Sequence, residues 1–150
     1  MKLAQALQER ADIQKRLSQL RQRLCYNARV QEGEEPQERP EDLLQELDAL
    51  TTRQEDLIAR INHTNAQTID DGVSLTELLA KRDVLTTKVH ILREFLEAAS
   101  DITSRALRSE IKIKSTIAVA KERARLDKLS QSLRELDARI QQKNWTTELR

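Results

Sequence analysis

Apolar residues recur at intervals of three and four along four stretches of the chain, the spacing that one face of an α-helix produces. In the first stretch this spacing follows a heptad pattern, which favours coiled-coil-like packing. We therefore predict an all-α fold, an elongated antiparallel four-helix bundle that forms a single domain over residues 1–150. The predicted helices cover about residues 2–28, 41–66, 75–108 and 117–143.

The third predicted helix carries two apolar stripes. The first stripe contains Leu75, Leu78, Leu85, Val89, Leu92, Leu96 and Ala99. The second stripe contains Val84, Ile91, Phe95, Ala98 and Ile102. A surface helix needs only one stripe, and a helix that is apolar on two sides is covered on two sides. The pattern predicts an inner helix of the bundle, and a subunit interface on one stripe is the open alternative.

The start of this helix has local signals of its own. Ser74 lies three residues before Glu77, which is the spacing of a capping box. Residues 68–69 and 73–74 flank an Asp-Asp-Gly turn, and we expect these two segments to pair as a very short β-hairpin.

A change of period separates the third and fourth predicted helices. Polar and apolar residues alternate strictly from Glu110 to Lys114, and β-branched residues follow. Because alternation by two indicates extended backbone, we predict a short extended connector near residues 110–116. A continuous helix with a kink is the alternative.

The composition supports a helical bundle that associates with itself. Hydrophobic residues make up 38% of the chain and charged residues 34%, with two Gly, two Pro and one each of Trp, Tyr and Phe. This profile is typical of long helices with an aliphatic core. An elongated bundle buries less surface per residue than a globule of the same length. We therefore expect a homo-oligomer.

Charge is distributed unevenly, although the net charge is only +1. The first thirty residues hold seven basic and two acidic side chains, and the next thirty hold three basic and ten acidic ones. We expect these segments to pair with each other within a hairpin or between subunits. This expectation argues against a specific nucleic-acid binder, which shows an unpaired basic face.

The sequence contains no motif for catalysis, a cofactor or a metal. Two glycines are too few for a dinucleotide fingerprint, and His63 and His90 fall in different predicted helices. Acidic residues in the loop before the second helix lack the spacing of a calcium loop. Cys25 has basic neighbours but no positioned base, and we expect it at the buried edge of a stripe. We predict that the protein is not an enzyme and binds no cofactor.

Polar residues at two places are structural candidates. Asn62, Asn65 and Thr68 lie where the second helix ends, and we expect them to satisfy backbone groups there. Arg82 interrupts the first stripe of the third helix, and we predict that it is buried and paired with Glu110 or with this polar cluster. A stem packed on the stripe with its guanidinium in water, or an anionic ligand, are the alternatives.

The sequence predicts a cytoplasmic protein without a transmembrane segment. One cysteine cannot form an internal disulfide, which suits a reducing compartment. No run of about 18 apolar residues occurs, and the chain does not open with a signal-type apolar core.

Four stretches resemble, in order and spacing, a family of small bacterial helical proteins of unknown function. They are VQEGEEP at residues 30–36, INHTNA at 61–66, RSEIK at 108–112 and NWTTEL at 144–149. Some members of that family carry the label septicolysin, which implies a pore-forming toxin. The resemblance brings no established catalytic residues. The residues themselves argue against membrane activity, because no strongly hydrophobic amphipathic segment is present.

The first functional hypothesis is a non-enzymatic, self-associating helical bundle with a structural or interaction-scaffold role. Its partners are other copies of the chain or an unidentified protein. Two alternatives remain, a membrane-active, septicolysin-like protein and a weak nucleic-acid binder that uses the basic residues from Arg105 to Lys128.

Overall fold

The computed structural model describes residues 1–101 and 112–150. These residues form four α-helices and one two-stranded sheet, so the prediction of a mostly helical protein is confirmed. In chain order the elements are α1 (Leu3–Tyr26), α2 (Pro40–Gln67), β1 (Ile69–Asp70), β2 (Val73–Ser74), α3 (Leu75–Ser100) and α4 (Val119–Thr146).

Most helix ends lie within three residues of the predicted ones. The exception is the end of α3, which stops at Ser100 where the pattern predicts a helix to about residue 108. Positions 102–108, including Ile102 of the second stripe, lie outside the described residues. The chain divides into two compact units. The first unit consists of Met1–Ser74 together with Lys143–Arg150, and the second unit consists of Leu75–Gln142.

The first unit is built on an antiparallel pair of helices, α1 and α2. Glu9, in the first half of α1, forms an ion pair with Arg53, at the middle of α2, at 2.6 Å. Arg23, late in α1, pairs instead with Glu46, early in α2, at 3.2 Å. The two helices therefore run in opposite directions, and the predicted pairing of the basic first segment with the acidic second one occurs within this hairpin.

Apolar positions seven residues apart form the core between α1 and α2. The buried apolar side chains of these helices are Leu3, Ala4, Ala6, Ile13, Leu20, Leu43, Leu50, Leu57 and Ile61. Leu20 and Leu57 are fully buried. Since a helix turns about every 3.6 residues, a spacing of seven keeps these side chains on one face.

A buried asparagine closes the end of α1 and fixes the loop that follows. The Asn27 side-chain Nδ2 donates a hydrogen bond to the Arg23 carbonyl at 2.9 Å. Its Oδ1 accepts a hydrogen bond from the Glu38 amide at 3.0 Å. One side chain thus satisfies a backbone group of the helix and one of the loop, groups that cost free energy when left unpaired. The loop leads to Pro40, which occupies the first turn of α2 as its fixed φ favours.

The predicted short hairpin is confirmed. β1 and β2 are antiparallel, with Ile69 opposite Ser74 and Asp70 opposite Val73. The two residues between them, Asp71 and Gly72, have φ angles of 52° and 78°. Positive φ at both positions is the requirement of a type I′ turn, which aspartate followed by glycine meets best.

The two ends of the chain meet in the first unit. Lys2 and Glu148 form an isolated antiparallel bridge, in which the Leu3 amide donates to the Thr147 carbonyl at 2.9 Å. The Leu3 amide lies in the first turn of α1 and lacks a partner inside the helix. The bridge therefore satisfies a donor at the start of α1 with the segment after α4.

The second unit is built on a second antiparallel helix pair, α3 and α4. Val89 and Leu96 of α3 form a buried cluster with Leu126 of α4. Partly buried apolar residues surround this cluster, namely Leu85, Leu92, Ile117, Val119, Leu129 and Leu133. Arg82, nearer the start of α3, lies close to Asp137, nearer the end of α4, so the helices are antiparallel.

The segment before α4 is not helical. Residues 112–118 contain no helix or strand, so a continuous helix through this region is wrong. The predicted extended connector agrees with the part of its range that is described, and Glu110 lies outside it. The hydroxyl of Ser115 donates to the Ile117 carbonyl at 3.2 Å, just ahead of α4.

Candidate self-association surface

One face of α3 exposes a row of large apolar side chains. Val84 is 70% exposed, Ile91 57% and Phe95 46%, and Ala98 continues the row. We call these four residues the α3 stripe. Their spacing of seven, four and three places them on one side of the helix. The expectation that the bundle covers both sides of this helix is not met within the described residues.

The opposite face of α3 explains why the stripe is exposed. Val89 and Leu96 are both buried and pack towards Leu126 of α4. A single antiparallel neighbour covers only one apolar stripe of a helix, whereas α3 has two apolar stripes. Within residues 1–101 and 112–150, the second apolar stripe of α3 is therefore left exposed.

A depression with a mostly apolar lining lies on the α3 stripe. This shallow depression of about 380 Å³ is lined by Val84, Ile91 and Leu92 with Thr87 and Lys88. Apolar patches that remain exposed on a folded protein commonly mark interaction sites.

A second, smaller depression lies at the far end of the stripe. Its lining includes Phe95, Ala98 and Ala99 of α3 together with Ile113 of the connector. Apolar contact surface therefore continues beyond α3 onto the segment that precedes α4.

Charged residues of opposite sign flank the α3 stripe. Successive residues of an α-helix are about 100° apart. Seen from Ile91, this rotation places Lys81 and Lys88 on one side of the stripe and Asp83 and Glu94 on the other. All four charged side chains are exposed. The surface thus has a basic edge, formed by the two lysines, and an acidic edge, formed by the two carboxylates.

Arg82 is partly buried, and within the described residues it pairs with two aspartates. Its side chain is 30% exposed. The guanidinium Nη2 donates to Oδ1 of Asp83 at 2.8 Å, and Nη1 lies 3.9 Å from Oδ1 of Asp137. Glu110, one predicted partner, lies outside the described residues. The stem of Arg82 thus sits at the edge of the α3–α4 contact while its charge meets two aspartates.

The polar cluster at the end of α2 has a structural role at one position. The Thr68 hydroxyl donates to the Thr64 carbonyl at 2.7 Å, as expected for a side chain that satisfies a helix end. Asn62 is exposed and Asn65 partly buried. Thr64 is fully buried, and its hydroxyl accepts a hydrogen bond from the Arg150 amide at 3.0 Å.

Ser74 immediately precedes the first residue of α3, the position at which a capping residue lies. Glu77 lies in the first turn of the helix, where the helix dipole favours an acidic side chain. The reciprocal hydrogen bonds of a capping box between these two residues remain a prediction.

Ion pairs shift the pKa of several groups in the first unit. Hydrogen bonds from the Arg23 guanidinium lower the pKa of the Glu38 carboxyl, and the same contacts raise the pKa of Arg23. Hydrogen bonds from Arg53 likewise lower the pKa of Glu9. These shifts follow from direct donor–acceptor contacts with a charged partner, which favour the ionised form of each group.

Groups that bear chemistry are not gathered into a reactive site in the described residues. No group of three or more His, Cys, Asp or Glu residues there has the geometry to hold a metal ion. His63 and His90 are both exposed, and His90 pairs with Glu94 at 3.3 Å. Cys25 is exposed, so the expectation that it is buried is wrong, because its position on α1 points away from α2.

Among residues 1–101 and 112–150, none of the helices combines the length and the apolar character needed to cross a bilayer.

Sequence reasoning identified the stripe residues but missed its charged edges. The edges are encoded in α3 itself, since Lys81, Asp83, Lys88 and Glu94 have helical spacing relative to Ile91. A projection of the sequence around the helix axis would have found them. The contacts of Thr64 and of Asp137 join distant parts of the chain, and no local pattern signals them.

Comparison with known proteins gives a family and a fold. The chain matches the family described as "Family of unknown function (DUF6847)" over residues 10–149. No curated protein matches the chain. A crystal structure described as a functionally unknown conserved protein from Corynebacterium diphtheriae is 40% identical, with a TM-score of 0.94. The alignment covers 100% of this chain and 99% of that one.

Proposed function

We propose a function from the premise that this chain belongs to the family of unknown function DUF6847. The protein is a non-enzymatic, self-associating helical protein. Its role is structural or that of an interaction scaffold, with a cytoplasmic location. The α3 stripe is the surface through which copies associate. The observation that carries the proposal is the exposure of Val84, Ile91 and Phe95 on one helix face.

Burial of apolar surface provides the driving force for this association. Removing apolar area from water contributes about 25 cal/mol per Å². From Val84 to Ala98 the stripe extends for about 21 Å along the helix axis. A helix face of this length falls short of the roughly 800 Å² per partner of a standard interface. We therefore expect reversible association, with a Kd in the micromolar range.

The predicted architecture, an antiparallel four-helix bundle in one domain, is also part of this proposal. It is supported by the antiparallel pair α1–α2 in the first unit and by the pair α3–α4 in the second. The structure from Corynebacterium diphtheriae is described as functionally unknown and supplies no role to transfer.

Light scattering or sedimentation over about 1–100 µM tests self-association, because this range brackets the expected Kd. The wild type should shift from monomer to a larger mass as the concentration rises. Ile91→Glu should remain a monomer with an unchanged helical spectrum, because a buried unpaired charge opposes association. Ile58→Glu is the matched control, since Ile58 is an exposed apolar residue on α2, outside the stripe. A wild type that stays monomeric throughout overturns the proposal.

A membrane-active role is the second candidate, and the same stripe favours it. The exposed apolar residues and the lysines of the basic edge would contact anionic lipid, whereas the acidic edge, Asp83 and Glu94, would oppose that contact. The resemblance to septicolysin-labelled proteins points to a membrane-active role. Leakage of dye from anionic liposomes on addition of the folded protein tests this role. Intact liposomes at micromolar protein would remove it.

Weak nucleic-acid binding through basic residues near the start of α4 remains the third hypothesis. Lys121, Arg123, Arg125 and Lys128 are exposed there, while Arg105 lies outside the described residues. Such binding should weaken steeply with salt. A mobility shift of RNA or DNA that is present at low salt and fades as salt rises would favour this role over a scaffold.

A further inference from the structure

We infer that the partner on the α3 stripe is a second copy of the chain whose α3 lies parallel to the first and in register. This inference rests on the proposed function, because it concerns the same surface. It adds the identity of the occupant and the direction in which that occupant lies. The basis for this inference is the opposite charge of the two edges of the stripe.

The edges of the stripe are complementary to each other. Lys81 and Lys88 form the basic edge, and Asp83 and Glu94 form the acidic edge. Lys81 and Lys88 form no ion pair within the part of the chain that the structure describes. A surface whose two edges have opposite charge fits a partner with the same two edges, and a second copy of the chain supplies that partner.

The direction follows from the geometry of paired helices. When two identical helices lie antiparallel, each edge faces the same edge of its partner, so lysines face lysines and carboxylates face carboxylates. When they lie parallel about a two-fold axis, each edge faces the opposite edge of the partner. Only the parallel arrangement places the basic edge of each copy beside the acidic edge of the other.

One charge pair is well placed to connect the two copies. Asp83 and Lys88 lie on opposite edges and are separated by five positions in the sequence. In a parallel pair, flanking positions with this separation form salt bridges between helices. By symmetry, Asp83 of each copy faces Lys88 of the other.

The contact that Asp83 makes within its own chain is compatible with this pairing. Asp83 accepts hydrogen bonds from Arg82 at 3.0 and 2.8 Å through Oδ1. Its side chain is nonetheless 68% exposed. An ionised carboxylate accepts several hydrogen bonds, so the other oxygen is open to a lysine from a second copy.

Parallel alignment also brings each stripe residue beside its own counterpart. Val84, Ile91 and Ala98 recur every seven residues and would meet the same residues of the second copy across the axis. In an antiparallel pair only a residue near the axis meets itself, and the other two are displaced towards opposite ends.

Disulfide crosslinking distinguishes the two directions. Three variants, each in a Cys25→Ser background, carry one cysteine: Val84→Cys, Ile91→Cys or Ala98→Cys. The parallel arrangement predicts rapid disulfide-linked dimers for all three on mild oxidation, since a disulfide requires closely spaced Cβ atoms. Ile58→Cys on α2 is the matched control and sets the rate of crosslinking by random collision.

Each crosslinking outcome has a defined reading. Rapid crosslinking at one of the three positions alone overturns the parallel direction. Crosslinking at the control rate for all three, in a protein that light scattering shows to be dimeric, overturns the α3 stripe as the interface while self-association stands. A monomeric wild type means that the proposed function itself has failed.

A charge variant provides a second readout that does not depend on oxidation. Lys88→Asp in a parallel pair places like charges opposite each other and should weaken dimerisation about tenfold. The double variant Asp83→Lys with Lys88→Asp restores opposite charges and should recover most of the lost affinity. In an antiparallel pair, Lys88→Asp would instead relieve lysine–lysine repulsion, so tighter dimerisation of that single variant overturns the inference.

Discussion

The two helix pairs have similar lengths but differ in how much of their apolar surface is buried between the helices. In the α1–α2 pair, apolar side chains meet between the helices, and ion pairs such as Glu9–Arg53 and Arg23–Glu46 connect them. In the α3–α4 pair, α4 packs against one apolar stripe of α3, and the other apolar stripe of α3 is exposed. Its cross-helix contact between Arg82 and Asp137 is looser, at 3.9 Å. The first pair buries its apolar positions between its own helices, whereas the second leaves Val84, Ile91 and Phe95 of α3 exposed.

The largest expected effect comes from the core of the α1–α2 pair. Leu57→Ala removes a fully buried side chain and should lower the free energy of unfolding by about 2–5 kcal/mol. Val84→Ala on the α3 stripe should change monomer stability by less than about 0.5 kcal/mol, because Val84 is exposed. Urea unfolding at a concentration where the chain is monomeric measures both. Similar losses for the two variants would contradict the contrast between the pairs.

The next largest effect concerns the loop that links α1 to α2. Asn27→Ala leaves the Glu38 amide without its wild-type acceptor, while the Arg23 carbonyl loses the side-chain donor but keeps the hydrogen bond from the backbone amide of residue 27. Such a loss should cost about 1–3 kcal/mol. Asn62→Ala is the matched control and should be nearly neutral, since Asn62 is exposed on α2. Equal thermal shifts for the two variants would show that Asn27 does not hold the loop.

A smaller effect is expected at Arg82 in the α3–α4 pair. Because its aspartate partners are largely exposed, Arg82→Ala should cost about 1 kcal/mol or less from the lost ion pairs. Arg82→Met should recover part of any loss that comes from packing of the stem. A loss of about 3–5 kcal/mol by urea unfolding would instead mark a buried pair.

The smallest effect is a pH dependence in the α1–α2 pair. Contacts with Arg23 lower the pKa of the folded Glu38 carboxyl. This group therefore stabilises the fold above its unfolded pKa of about 4.3, and the contribution is lost as pH falls through the lower folded value. The stability difference between wild type and Glu38→Gln should shrink between pH 7 and pH 3. Arg23→Gln, introduced into both proteins, is the control, because it removes the contact that lowers the pKa of Glu38, and the difference should then vary less with pH.

The helices and the hairpin could be predicted because their signals are local. A spacing of three and four marks a helix face, and Asp71-Gly72 supplies the positive φ angles that the turn needs. The contact of Arg82 with Asp137 could not be predicted, since Asp137 lies on another helix and is brought near only by packing. The bridge between the chain ends also escaped prediction, because one residue in each strand gives no pattern.

For the α3 stripe, too, the sequence predicts the spacing of the apolar residues but does not predict their exposure. The second apolar stripe of α3 was found from its period, but period alone does not say whether a neighbour in the same chain covers it. Packing decides that question, and Val84 and Ile91 are exposed. The corresponding expectation for Cys25 failed for the same reason, since proximity to a stripe in sequence does not determine burial.

The bridge between Lys2 and Glu148 makes almost the whole chain one closed loop. The entropy cost of closing a loop rises with its length, so this contact is the least favourable one to form early in folding. We expect it to form after the helices have already brought the two ends together. The closed loop also implies that the order of the segments is dispensable. A circular permutant, with the ends joined by a short flexible linker and the chain opened between residues 29 and 35, should retain both antiparallel helix pairs.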